Sequence, residues 1–243
     1  MKLSVCILTK NEEKNIERCL ENVKDIADEI IIVDDFSSDR TIEICRKYTD
    51  KIFKRELKND FSAQRNYAIS KATGDWILMI DPDELVTQEL KEKIKKLIEN
   101  KEIDCYKIKF LKCIGGKYIK YGFGSPEFHL RLFKKGKAAY KKAVHEIVEA
   151  SGNVKSTDFF GIIHYGEELL PKEKIARQLF YAKLEAKEGS FLKTILAIPY
   201  VIWCFFSKKG FLDGWLGVRY HFYKIWYYGL VLKYLIDFRS SHH

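Results

Sequence analysis

The chain has 243 residues, 47% hydrophobic and 32% charged. At roughly 100 to 200 residues per domain this is one large domain or a domain with an appendage, and disordered, collagen-like and disulfide-dense classes are excluded. Forty-three Lys and Arg against 34 Asp and Glu leave a net charge of +9, which fits a polyanionic partner: a nucleoside diphosphate, an acidic membrane or nucleic acid.

Leu3 to Leu8 is a β-branched apolar run followed at once by charges. It reads as a core strand and not as a secretory leader, so residence on the cytosolic side is expected. Asn11 caps a stretch with helical spacing at Ile16, Leu20 and Val23, and Glu29 to Val33 is apolar again, which makes one β-α-β unit. The pattern continues with a helix near Thr41 to Tyr48, a strand at Lys51 to Lys54, a helix at Ser62 to Ala72 and a strand at Trp76 to Ile80. Strands alternating with helices predict a parallel sheet covered on both faces. Beyond a helix from Thr87 to Asn100 come hairpin strands at Tyr106 to Leu111 and Phe128 to Phe133, flanked by glycines. A charged helix over Pro171 to Glu188 and an aromatic, basic tail complete the chain. The six cysteines form no CxxC pair and sit in apolar patterns, so they read as reduced structural thiols.

Ligands of an open parallel sheet bind beyond the carboxyl ends of its strands. Those ends carry Thr9-Lys10-Asn11, Asp34-Asp35 and Asp81-Pro82-Asp83-Glu84. Helix capping accounts for any one of them, but two acidic clusters on a shared rim repel unless a cation joins them. Asp81-x-Asp83 after a buried strand presents oxygens to a hard divalent ion that keeps open positions for phosphate. Lys10, Arg65 and Arg131 are nearby cations for a diphosphate, although Arg131, between Leu130 and Leu132, reads equally as a solvated strand edge.

The succession SVCILTKNEE, IIIVDDFSSDRTIEI, FSAQRNYAISKATGDWILMIDPDE and HLRLFKKGKAAYKKAVHE resembles the family 2 glycosyltransferases of the α/β GT-A fold. It is most similar to the branch that adds glucose or related hexoses to lipooligosaccharide and lipopolysaccharide cores. The resemblance implies a nucleotide-sugar donor, expected to be a UDP-sugar, together with Mn2+ or Mg2+, inversion at the anomeric carbon, and a saccharide or lipid-linked acceptor in cell-envelope glycan synthesis. It places Thr9, Asp34 and Asp35 near the base and Arg65 and Asn66 around the base and ribose. Asp81 falls at the ribose or metal shell, Asp83 on the metal, and Glu146 of AVHE at the general base. Gly122-Phe123-Gly124 matches a flexible loop near the donor. His164 matches a late metal-binding histidine, with a buried backbone-bonded role as the alternative. The expected division is a catalytic domain over 1–168, with a nucleotide-sugar half over 1–100 and an acceptor half over 101–168, and a helical extension over 169–239.

Two other classes fit less well. A nucleotidyltransferase needs a Gly-rich basic signature after its first strand, where Thr9-Lys10-Asn11-Glu12 stands instead, and no nucleic-acid-binding motif accompanies the net charge. The tail from Phe191 to Phe238 holds 15 of the 34 aromatic residues, interleaved with Lys and Arg. Its longest uncharged run, Thr194 to Ser207, has 14 residues, short of the roughly 20 that span a bilayer. Two readings stand: amphipathic helices on the anionic inner face of the cell membrane, making the protein peripheral there, or helices packed as core or against another subunit.

Overall fold

A computed structural model describes residues 1–142, 147–166 and 191–240, with Ile175, Gln178, Leu179, Ala182, Lys183, Glu185 and Ala186 between the last two stretches. The chain divides into two compact units, Met1–Phe110 with Glu127–Tyr165, and Leu111–Pro126 with Gly166–His243.

The first unit runs β1 (Leu3–Thr9), α1 (Ile16–Val23), β2 (Glu29–Asp34), α2 (Thr41–Cys45), β3 (Ile52–Lys54), α3 (Phe61–Lys71), β4 (Trp76–Ile80), β5 (Glu84–Val86) and α4 (Gln88–Glu99). Then come β6 (Cys105–Ile114), β7 (Lys117–Ile119), β8 (Glu127–Lys134), β9 (Ala138–Lys141), β10 (Ile147–Ala150) and β11 (Val154–Gly166), of which β7 and the end of β6 fall in the second unit. The strand order is β3-β2-β1-β4-β8-β6-β11-β5. Its first four members are parallel, β8 joins β4 antiparallel, and β5 pairs antiparallel with β11; β9 and β10 form a separate hairpin. The expected parallel half is present, while the antiparallel half is larger than the sequence reading proposed.

Alternation along the strands sorts the core into two layers, because successive side chains point to opposite faces. Val5, Ile7, Ile32 and Leu78 meet Ile16 and Leu20 of α1 and Leu90 and Ile94 of α4 on one face. Cys6, Ile31, Val33, Ile77 and Met79 meet Ala68 of α3 on the other. Burying each large aliphatic side chain is worth about 1.5–3 kcal/mol. Helices α3 and α4 start where a side chain takes up a free amide: Asp60 accepts from Ala63 N (2.8 Å) and Thr87 from Leu90 N (3.2 Å). All six cysteines are buried and none is in a disulfide; burial pushes the Cys6 thiol up to about 12.

In the second unit β7 pairs with the end of β6, and two long helices, Phe191–Ser207 and Gly214–Ser240, follow a short 3-10 turn apart, Gly210–Asp213. The helix expected over Pro171 to Glu188 falls mostly outside the described residues.

One polar hub fastens the amino ends of the strands. The Glu29 carboxylate, at the start of β2 and 9% exposed, accepts from Thr73 N (2.5 Å), Thr73 Oγ1 (2.9 Å), Gly74 N (3.0 Å), the Ser4 hydroxyl and the Lys51 ammonium. Burial would raise this carboxyl, but the bonds from Lys51, Ser4 and Thr73 outweigh it and hold it at about 2. In the unfolded chain it titrates near the usual 4.5. Its contribution, on the order of 3 kcal/mol, is therefore complete above that value and disappears as the pH falls through about 2. Glu29→Gln should cost about 1–3 kcal/mol in urea unfolding at pH 7, and the gap to the parent protein should close on acidification; a gap that ignores pH contradicts the hub.

Candidate active site

The carboxyl ends of β2, β1 and β4 lie side by side, since Thr9 is in register with Asp34 and Ile7 with Ile80. These carboxyl ends form one rim, the place where ligands of open parallel sheets bind.

On the β1–β2 side the polar groups divide into those that hold loops and those left for a ligand. Asp34 is fully buried and accepts from Ser37 Oγ (2.5 Å) and Ser37 N (3.1 Å). Asn11, at φ 54°, accepts from Ser38 N (2.8 Å) through its amide oxygen, and its own N–H donates to Ser37 Oγ (2.9 Å). Both side chains shape the 36–38 turn. Asp35 accepts from Lys10 Nζ (2.6 Å) and Leu57 N (3.0 Å), and these bonds overcome the effect of burial to keep its carboxyl below the ordinary range. Thr9 Oγ1 is buried with no hydrogen-bond partner. Beside them Phe36, a residue not singled out above, is 58% exposed at φ 53°, a conformation uncommon for a bulky side chain.

On the β4 side the two aspartates of the DPD segment have opposite environments. Asp81 Oδ1 accepts from Arg65 Nη1 (2.8 Å), and Oδ2 accepts from Arg65 Nη2 (3.2 Å) and Arg131 Nη2 (2.9 Å). Arg131 Nη2 also donates to Glu84 Oε1 (2.8 Å), and Glu84 Oε2 accepts from Asp81 N (2.9 Å). Two guanidiniums and two carboxylates thus form a closed cluster, with the side chains of Arg65, Arg131 and Glu84 at most 12% exposed. Burial would raise the Asp81 carboxyl, yet Arg131 and Arg65 hold it far below the usual range. Burial raises Glu84 to about 7 against the pull of Arg131, with the Asp81 charge adding to the rise. The expectation that Arg65 and Arg131 stand free for a diphosphate is corrected here, because their charge is spent inside this cluster. The solvated-edge alternative for Arg131 fails for the same reason.

Asp83 points the other way. Its side chain is 40% exposed, and Oδ2 lies 3.1 Å from Nε2 of His164, itself 44% exposed. The pair is built by the β5–β11 ladder, in which His164 stands opposite Glu84 and Tyr165 N donates to Asp83 O (2.9 Å). Its bond to Asp83 raises the His164 imidazole, with burial opposing and the acidic neighbours adding. Among the described residues no three His, Cys, Asp or Glu side chains gather as a complete metal site. One carboxylate and one imidazole, both partly open, suit a Mn2+ or Mg2+ ion that draws its remaining ligands from phosphate and water.

Asn66, expected around the base and ribose, is bonded both ways to Tyr140, with Nδ2 donating to Tyr140 O (2.8 Å) and Oδ1 accepting from Tyr140 N (2.9 Å). It anchors β9. Glu146 and His145 lie outside the described residues. In the second unit, Gly122-Phe123-Gly124 is pinned: Phe123 N donates to His221 Nε2 (3.0 Å), and a Cβ on Gly122, at φ 83°, would sit 2.3 Å from the same ring.

This geometry separates the two aspartates by experiment. Asp81→Asn leaves two buried guanidiniums short of a charge and should destabilise by about 3 kcal/mol, whereas Asp83→Asn should change stability by less than about 0.5 kcal/mol. Guanidinium unfolding at pH 7 measures both, and equal losses would contradict the assignment.

Sequence and structure comparisons bear on this rim. Residues 4–151 match the model of glycosyl transferase family 2. An uncharacterised glycosyltransferase of Rickettsia typhi is 29% identical over 236 residues, covering 89% of this chain and 80% of that protein. The glycosyltransferase SunS of Bacillus subtilis is 37% identical over 145 residues, 58% of this chain and 33% of that protein. Among solved structures, residues 1–349 of Staphylococcus aureus TarS in complex with UDP-GlcNAc superpose with a TM-score of 0.52 at 18% identity, over 77% of this chain and 66% of that one. The chain thus spans just under two thirds of that solved chain, and the likeness is one of fold. With the family match covering more than half its length, the chain belongs to glycosyl transferase family 2.

Proposed function

We propose that the protein transfers a hexose, with glucose as the first candidate, from a UDP-sugar to a saccharide or lipid-linked acceptor, with inversion at the anomeric carbon. The observation that carries the reading is the division of labour in the DPD segment, where a half-buried Asp81 is held by two arginines and a more open Asp83 meets His164. Asp83 and His164 would hold the divalent ion, which when bound supplies positive charge for the leaving diphosphate. Asp35, the unpartnered Thr9 hydroxyl and the exposed ring of Phe36 would receive the uracil base, while Lys10 balances charge at that end. Asn11, Asp34, Arg65, Asn66 and Asp81 act one step back, by holding the turns and strands that carry these groups. Glu146 is assigned as the base that takes the acceptor hydroxyl proton, so that the oxygen attacks the face opposite the leaving diphosphate.

The proposed domain roles follow this assignment, with nucleotide-sugar binding in 1–100, acceptor binding in 101–168 and a helical extension in 169–239. The proposed setting is the cytosolic face of the cell membrane, in cell-envelope glycan synthesis of the lipooligosaccharide core type, where the basic second unit meets anionic lipid. No nucleic-acid partner is invoked.

Calorimetric titration tests the donor site. Asp83→Asn and His164→Ala should each weaken Mn2+-dependent UDP binding by roughly tenfold or more, and metal-independent binding should persist. Asp35→Ala should weaken binding with or without metal. In transfer assays Glu146→Gln should lose roughly 100-fold or more in rate while still binding donor. Unaltered Mn2+-dependent binding in Asp83→Asn, or normal transfer by Glu146→Gln, would overturn the corresponding role.

A further inference from the structure

The second unit carries its apolar residues on the wrong side for a water-facing helix pair. In Phe191–Ser207 the buried positions include the polar Thr194 and Cys204, with Val201 between them. The exposed stripe reads Leu192, Ile195, Leu196, Ile202, Trp203 and Phe206, which is helical spacing with Pro199 in the same line. In Gly214–Ser240 the exposed stripe mixes aromatic and basic residues, Trp215, Arg219, Phe222, Trp226 and Lys233, with Asp237 at its end. Buried faces of the two helices meet elsewhere, with the Phe205 ring 5.0 Å from that of His221 and with Val231 and Leu235 packed on Ala182 and Ala186. The exposed side chains are therefore not waiting for each other.

We infer that this face lies flat in the headgroup region of an anionic bilayer, with the Leu192–Phe206 stripe inserted and Trp215, Arg219, Phe222 and Trp226 at the lipid–water boundary. The inference rests on the membrane setting proposed above and specifies which side chains enter and how deep. Length and charge choose the occupant. Among the described residues no single helix is long and apolar enough to cross a membrane; Phe191–Ser207 and Gly210–Ser240 reach that composition only together, across a bend of 74°. Between residues 191 and 240 the chain carries seven Lys and Arg against two Asp, and one of those, Asp213, already accepts from Lys120 N and Tyr121 N. A second copy docked on this face would bring like charges together, whereas an anionic surface complements them. A hollow beside Trp215, lined by Arg219, Asp213 and Lys117, adds one further cation, Lys117, outside that stretch. Trp residues favour that boundary because their rings are apolar and their N–H is not.

The test uses the full chain and vesicles of phosphatidylcholine alone or with about 30% phosphatidylglycerol. The expected result is flotation with the anionic vesicles, reduced but not abolished by high salt, because salt screens the basic residues and leaves the inserted stripe in place. Brominated acyl chains should quench the tryptophan fluorescence of the unaltered protein. Trp203→Asp with Phe206→Asp should lower partitioning by roughly tenfold or more without changing thermal unfolding or UDP binding, since both side chains face outward. UDP binding in the same samples separates a failure here from a failure of the transferase reading. Absence of flotation and quenching at low salt would overturn the proposal. So would a stable dimer that the double substitution converts to monomer, because a second copy would then own the stripe.

Discussion

Arg65 and Arg131 close on Asp81 from two elements, and the layout of the rim depends on that closure. Arg65 comes from α3 and Arg131 from the antiparallel strand β8, so the Asp81 carboxylate ties the parallel half of the sheet to the antiparallel half. A carboxylate with such partners cannot wander. Glu84 completes the cluster by accepting hydrogen bonds from Asp81 N and from Arg131 Nη2. The chain between these two acids is thereby fixed at both ends, and Pro82 restricts it further through its locked φ. Asp83 is what remains, partly exposed and beside His164.

Leaving β4, the chain goes to β5 at the far end of the strand order, where β5 pairs with β11. That ladder brings His164 to Asp83 from 81 residues away. A partly exposed Asp–His pair stands beside a largely buried Asp–Arg cluster, and the proposed split between binding and positioning rests on that contrast. The cluster is costly to desolvate, and its balance of charges keeps that cost bearable; removing one member leaves another unpaired.

Much of the scaffold was legible in the sequence because the physics there is local. β1, β2 and β4 are uninterrupted apolar runs, as strands buried on both faces must be, and α1 and α4 show the 3.6-residue stripe that packs on them. The acidic strand ends were legible too. What escaped was long-range. Arg131 reads as an edge residue until β8 is known to lie beside β4, which places it next to an aspartate 50 positions away. β11 alternates poorly, so the strand that delivers His164 had no clear signature of its own. Asn11, Asp34 and Asn66 are polar residues of the right type near the right place, but their hydrogen bonds go to turns and strands, and no sequence pattern distinguishes an amide that meets a ligand from one that meets a backbone. The glycines at 122 and 124 suggested looseness; the His221 ring fitted against Gly122 shows that a glycine can also mark close packing.

The second unit follows a different logic, in which solvent-facing apolar side chains and basic charge are laid out in register along two helices. The first unit, by contrast, buries most of one charged cluster, Arg65, Asp81, Glu84 and Arg131, and leaves Asp83 and His164 partly open beside it. The central claim about that unit is that the Arg65–Asp81–Arg131 cluster excludes Asp81 from metal binding and leaves the ion to Asp83 and His164. Anomalous diffraction from crystals of the protein soaked with UDP and Mn2+ tests it most directly. The account expects manganese at about 2 Å from Asp83 and His164, with Asp81 still held by both arginines. Manganese bound to Asp81, with either arginine released, would contradict it.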